Sequence, residues 1–164
     1  MKKLSLGFTL GALALGTLST FAAASMSAQA LGGPYSYYAV APCRAYDTRT
    51  AGPLPNGVIA VAEVRSFTIK GVCGVPTDAA AISGNFTVVQ PTGAGDLRLA
   101  PEGSAFPLVS TSNYTYLENL ANGAIVPLGP GTGTTTDIKV TAGMCCAAPP
   151  LQYHLLIDIT GYFK

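Results

Sequence analysis

Beyond residue 33 this chain never runs far without a Gly or a Pro, and that punctuation limits what it can fold into. All 12 of its Pro lie there. Between them, short apolar or alternating stretches recur at intervals of roughly a dozen residues, the spacing of strands in a sandwich or barrel. No stretch holds the 3.6-residue apolar period of a helix. Strands are predicted near Tyr37–Val40, Glu63–Lys70, Ala80–Val89, Asp96–Ala100, Leu108–Leu117, Gly123–Leu128, Thr135–Thr141 and Tyr153–Phe163. Within Glu63–Lys70 the alternation sets Arg65, Phe67 and Ile69 on one face and Val64, Ser66 and Thr68 on the other. Pro55-Asn56-Gly57, Pro91-Thr92-Gly93 and Gly129-Pro130-Gly131 supply turn chemistry. About eight strands predict an all-β domain, a single antiparallel β-sandwich of jelly-roll-like or Greek-key type.

The N-terminus reads differently. Met1-Lys2-Lys3 is followed by an apolar run from Leu4 to Ala24, and Ala28-Gln29-Ala30 fits the small-x-small pattern of a signal-peptidase site. Residues 1–30 are therefore expected to be a cleaved signal peptide, with 31–40 an N-terminal arm and 41–164 the sandwich. Gly7, Gly11, Gly16, Thr17, Ser19 and Thr20 dilute the run and make it a poor retained anchor, so no membrane span is expected after processing. An alternative is that Lys3 with Gly7-Phe8-Thr9-Leu10 resembles the start of a type IV prepilin, which would make the chain a pilin-like subunit. Ala12 stands where that family typically carries Glu.

Charge narrows the partners. Charged residues make up 10% of the chain, the hydrophobic fraction is 49%, and the mean hydropathy is +0.39. Setting aside Lys2 and Lys3 leaves seven basic against eight acidic residues. No basic patch remains to hold phosphate backbones, and nucleic acid is not an expected partner.

Four cysteines, Cys43, Cys73, Cys145 and Cys146, read as disulfides if the chain is exported. Of the three connectivities, bridging the neighbours Cys145 and Cys146 strains the intervening peptide and ranks last as an intramolecular pairing. Open choices are Cys43–Cys73 with a vicinal bridge, two crossed bridges, or a vicinal pair reaching a neighbouring subunit. A metal is not expected, since no C-x-x-C spacing occurs and His154 is the only histidine. No cofactor is expected either.

The chemistry-bearing residues are few. Arg44, Asp47 and Arg49 form a polar knot beside Cys43, able to fix the first loop internally or to face an acidic ligand. His154 and Asp158 share a face of the last predicted strand. Four residues apart on a strand they stand roughly 13 Å from each other, beyond the reach of a catalytic pair. There is no G-x-S-x-G elbow, and Glu63, Glu102, Glu118, Asp78 and Asp96 are scattered. Catalysis is not expected. Tyr35, Tyr37 and Tyr38 crowd the arm, and Tyr114 and Tyr116 alternate on one predicted strand. These five are the candidate contacts to a ligand or partner, because exposed Tyr stacks on sugars and anchors interfaces.

Four ordered segments add a resemblance: Ala41-Pro42-Cys43-Arg44-Ala45-Tyr46-Asp47-Thr48-Arg49, Gly71-Val72-Cys73-Gly74-Val75-Pro76, Asn122-Gly123-Ala124-Ile125-Val126-Pro127-Leu128-Gly129 and Leu156-Ile157-Asp158-Ile159-Thr160-Gly161-Tyr162-Phe163. Together they resemble a secreted bacterial β-module, common in actinobacteria and other soil bacteria, over nearly all of 41–163. The resemblance implies an extracellular β-domain without an established activity. A solitary module of that kind is expected to act as a structural or adhesive surface protein, self-assembling through its N-terminal arm. The alternative within binding functions is a carbohydrate-binding module of the cell envelope. Either way the expected partners are copies of itself or cell-surface polysaccharide or protein.

Overall fold

The computed structural model describes residues 32–50, 55–146 and 149–164. The expected signal segment, its expected cleavage point and the prepilin-like start all lie outside the described residues.

Strand pairing is antiparallel and nested. β1 (Tyr37–Asp47) pairs with β9 (Gln152–Phe163), and β3 (Arg65–Phe67) with β8 (Ile138–Cys145). β4 (Ala81–Val89) pairs with β7 (Leu120–Pro127), and β5 (Ala94–Pro101) with β6 (Ser112–Tyr114). These are the rungs of one long hairpin whose tip is the β5–β6 loop. Rolling that hairpin brings β9 against β4 and β8 against β5. Two sheets result, in the orders β1-β9-β4-β7 and β3-β8-β5-β6, with the two-residue β2 (Ile59–Ala60) added to β9. This is a jelly roll. The described residues contain no helix, so none is long and apolar enough to cross a membrane.

The core lies where the two inner faces meet. The first sheet contributes Ile82, Phe86, Val88, Tyr153, Leu155, Ile157 and Ile159; the second contributes Phe67, Leu97, Leu99, Tyr114, Ile138 and Val140. Alternation explains the assignment: along β9, Tyr153, Leu155, Ile157 and Ile159 point inward, while His154, Asp158 and Thr160 point out. Arg65, Phe67 and Ile69 share one face, as the alternation requires, and that face is the buried one.

Several boundaries differ from the sequence-based expectation, each for a local reason. β1 continues past Val40 to Asp47, with register shifts between Ala39 and Cys43 and between Arg44 and Tyr46. Those bulges and Pro42 hide its alternation. The segment from Ser36 onward is consequently not a free arm. Ser36 and Lys164 exchange both backbone hydrogen bonds, at 2.9 and 3.1 Å, and Tyr37 to Ala39 pair with Phe163 to Gly161. β6 is three residues long because Leu108 and Val109 lie exposed in the preceding loop. β8 runs on to Cys145, through Ala-Gly-Met-Cys, which carries no pattern of its own.

A buried polar clip holds three loops. Asp137 is fully buried, and its carboxylate accepts the Ile69 N–H at 2.9 Å and the Lys70 N–H at 2.8 Å. Its backbone carbonyl accepts the Glu102 and Gly129 N–H groups, and Lys70 Nζ donates to the Gly129 carbonyl at 2.8 Å. Burial pushes the Asp137 carboxyl up, against the pull of its two N–H donors.

Candidate functional site

The knot expected around Arg44, Asp47 and Arg49 exists, and it reaches further than its own segment. Arg49 grips Asp47 as a fork, Nε to Oδ1 at 2.9 Å and Nη2 to Oδ2 at 2.6 Å. Arg44 grips Asp158 in the same way, at 2.6 and 2.9 Å, across the β1–β9 register. Arg44 Nη1 stands 3.8 Å from Asp47. Both guanidinium forks are spent on internal carboxylates, so an acidic ligand would have to displace them. The knot clamps the bulged edge strand to its neighbour.

Its electrostatics have a pH signature. The Arg49 guanidinium holds the Asp47 carboxyl at about 2, below its ordinary 3.8. The folded pKa lies under the unfolded one, so the stabilisation is whole above about pH 4 and is lost as pH falls through 2. With Arg44 and Arg49 nearly half exposed, screening leaves it at about 1 kcal/mol. Asp47→Asn is expected to lose that amount at pH 7 and to flatten the fall in stability between pH 4 and 2. Thermal unfolding across that range checks it; parallel profiles for the two proteins would absolve Asp47.

His154 and Asp158 share the outer face of β9 but have separate partners. His154 Nδ1 lies 3.1 Å from the Thr48 carbonyl and 3.3 Å from its hydroxyl, while the Leu155 N–H donates to Thr48 Oγ1 at 2.8 Å. The histidine thus anchors the end of β1. Among the described residues no group of three His, Cys, Asp or Glu side chains is placed to hold a metal ion.

The five tyrosines separate. Tyr114 is 3% exposed, packs against Tyr153 with ring centroids 6.4 Å apart, and has its phenol pushed up to about 12 by burial. It is a core residue and offers no surface contact. Tyr116 lies beyond the end of β6 and is 60% exposed, so the expected two-ring row does not form. Tyr35, Tyr37 and Tyr38 are exposed at one end of the larger sheet. Tyr38 stacks on Tyr162, with centroids 5.1 Å apart and planes 15° apart, and Tyr37 tilts over Phe163 at 5.1 Å. The Tyr37 ring covers Gly161, which has no side chain to obstruct it.

Two shallow depressions mark the outer faces. One, of about 480 Å³, is lined by Ser83, Asn85, Gly123, Ile125 and Thr160 on the larger sheet. It exists because Gly123, opposite Asn85, adds nothing to the surface. The other, of about 320 Å³, lies among Asp96, Arg98, Leu108, Ser110 and Asn113.

The two edges of the larger sheet are unlike. β1 carries two bulges, Pro42 and the Arg44 fork, the devices that keep an edge from pairing further. β7 has no bulge and no charged fork, and its one Pro, Pro127, stands at its very end. It pairs with β4 in unbroken register from Leu120 to Pro127, and no charged residue occurs from Asn119 to Thr136. Ala121, Asn122, Gly123 and Ile125 are exposed, Ile125 by 63%. Among the described residues no strand pairs with its second edge. This edge was not singled out from sequence, although its lack of charge was there to be read.

Both cysteine pairs are bridged. Cys43 in β1 joins Cys73 in the β3–β4 loop, with 5.7 Å between Cα atoms. Cys145 joins Cys146. The vicinal pairing that peptide geometry ranks last is the one found. Cys146 takes a φ of 68°, a left-handed conformation uncommon outside glycine, and the chain turns there.

Comparison with protein-family models, curated proteins and solved structures finds no match for this chain.

Proposed function

We propose that this chain is a non-catalytic extracellular module with a structural or adhesive role, joining copies of itself by strand addition along β7. The observation that carries the reading is the contrast between the guarded β1 edge and the unguarded β7 edge. An exposed, regular, uncharged edge strand is a template for another strand. Two copies meeting there face no like-charge repulsion from the strand, and the low net charge favours approach. The seat of association is thus β7 and not the N-terminal arm. The two disulfides support an oxidising, extracytoplasmic location.

Ala121→Lys with Ile125→Lys tests this. Both positions are exposed, so each change is expected to cost within about 0.5 kcal/mol of fold stability. Unreduced wild type is expected to show concentration-dependent assembly by light scattering and electron microscopy, and the double variant to stay monomeric with the same melting temperature. A wild type that remains monomeric at high concentration would refute assembly through β7. Retention of that monomer on cell-wall polysaccharide would favour the carbohydrate-binding reading, for which the half-exposed Tyr37 ring beside Phe163 is the supporting observation.

A further inference from the structure

We propose that the Cys145–Cys146 bridge is a thiol-exchange site, opened by external thiols while Cys43–Cys73 stays closed. The two bridges differ in span and in exposure. Cys43–Cys73 spans 30 residues and ties an edge strand to a loop, and Cys73 packs against the core cluster. Cys145–Cys146 spans one residue and closes no loop, so its loss releases no new conformational freedom in the unfolded chain.

Access also differs. Cys145 and Cys146 are both exposed. Cys145 is the last rung of the β5–β8 ladder, opposite Ala94. On the other side of β8, β3 pairs with Ile138 to Val140 and the Ala62 N–H bonds the Ala142 carbonyl, and among the described residues no strand pairs there with Gly143 to Cys145. Adjacency fixes the two Cα atoms 3.8 Å apart, below the separation at which disulfides are usually relaxed. In the closed ring Cys146 holds a φ of 68°, a left-handed conformation that costs energy for a residue with a side chain. Exposed, constrained bridges are the labile ones.

The fold around the pair does not need it. Thr92 Oγ1 donates to the Pro150 carbonyl at 2.7 Å and accepts the Gln152 N–H at 2.9 Å, and Thr92 N–H donates to the Gln152 carbonyl. These bonds anchor the start of β9 whether the ring is open or closed.

The exchange balances with a thiol as reductant. A thiolate attacks Sγ of one cysteine, forming a mixed disulfide as the Sγ–Sγ bond breaks. The electron pair leaves on the other sulfur, which takes a proton from water. A second thiolate attacks the mixed disulfide, releasing an external disulfide and the second cysteine thiolate. The cystine gains two electrons and the two thiols lose two. If the first thiolate belongs to another protein, halting at the mixed disulfide leaves that protein covalently attached.

Graded dithiothreitol on the folded full chain, trapped with N-ethylmaleimide and read by intact mass and peptide mapping, tests this. Two labels are expected, both on Cys145 and Cys146, at a reductant concentration roughly tenfold below that which labels Cys43 and Cys73. Cys145→Ser with Cys146→Ser is expected to take no label in that range and to keep the wild-type melting temperature. Glutathione in place of dithiothreitol is expected to leave an adduct at the same pair. Labelling of all four cysteines together, labelling of Cys43 and Cys73 first, or no labelling before unfolding would overturn the proposal.

Discussion

Phe67→Ala is expected to cost about 3–5 kcal/mol, a large part of the roughly 5–15 kcal/mol that stabilises a typical domain. Phe67 is fully buried in β3, and its ring meets Tyr46 edge to face, with centroids 4.9 Å apart and planes 63° apart. The Tyr46 hydroxyl donates to the Thr68 carbonyl at 2.7 Å, so the neighbouring ring is tethered and cannot swing in to fill the space. The backbone is held as well: the Phe67 carbonyl accepts the Asp137 N–H, and Phe67 closes the β3–β8 ladder opposite Ile138. A cavity that cannot collapse carries the upper part of the penalty. Urea unfolding with both disulfides intact measures it, and a loss under about 1 kcal/mol would mean that the site relaxes.

Removing the Cys43–Cys73 bridge as Cys43→Ser with Cys73→Ser is expected to cost roughly 3–4 kcal/mol, from the loop-closure entropy of a 30-residue separation. That corresponds to a fall of roughly 10 °C in melting temperature. The denatured chain also expands, so the urea dependence of unfolding should steepen. A lower midpoint with unchanged slope would place the loss in the native state instead. In that case the Arg44–Asp158 fork, next along β1, would be the contact to inspect.

Where the chain alternates cleanly, its structure was legible from sequence. β4, β5 and β9 fall close to the predicted segments, and Arg65, Phe67 and Ile69 share one face as the alternation requires, although the pattern alone did not say that this face is the buried one. β1 was read short because bulges break the period of two, and β6 was read long because Leu108 and Val109 are apolar yet exposed. An apolar residue in a loop carries no local mark that distinguishes it from one in a strand.

The candidate site was legible only in its local half. Asp47 and Arg49 are two residues apart and their pairing is visible in sequence, whereas Asp158 lies 114 residues from Arg44 and is brought there by the β1–β9 ladder. Asp137 was missed altogether. It falls inside the predicted strand Thr135–Thr141 with no local mark of a role, and only the packed loops reveal two N–H groups aimed at it. The tyrosines show the same limit, since Tyr114 is buried and Tyr116 exposed by the early end of β6.

The nested pairing also dictates an order of events. The strand that lies between β1 and β4 is β9, the last of the nine to leave the ribosome. Until it arrives, the larger sheet lacks its middle, and β1 has nothing to zip onto. Contacts this remote in sequence form late and make for slow folding. The larger sheet is therefore completed only once residues 152–163 have emerged.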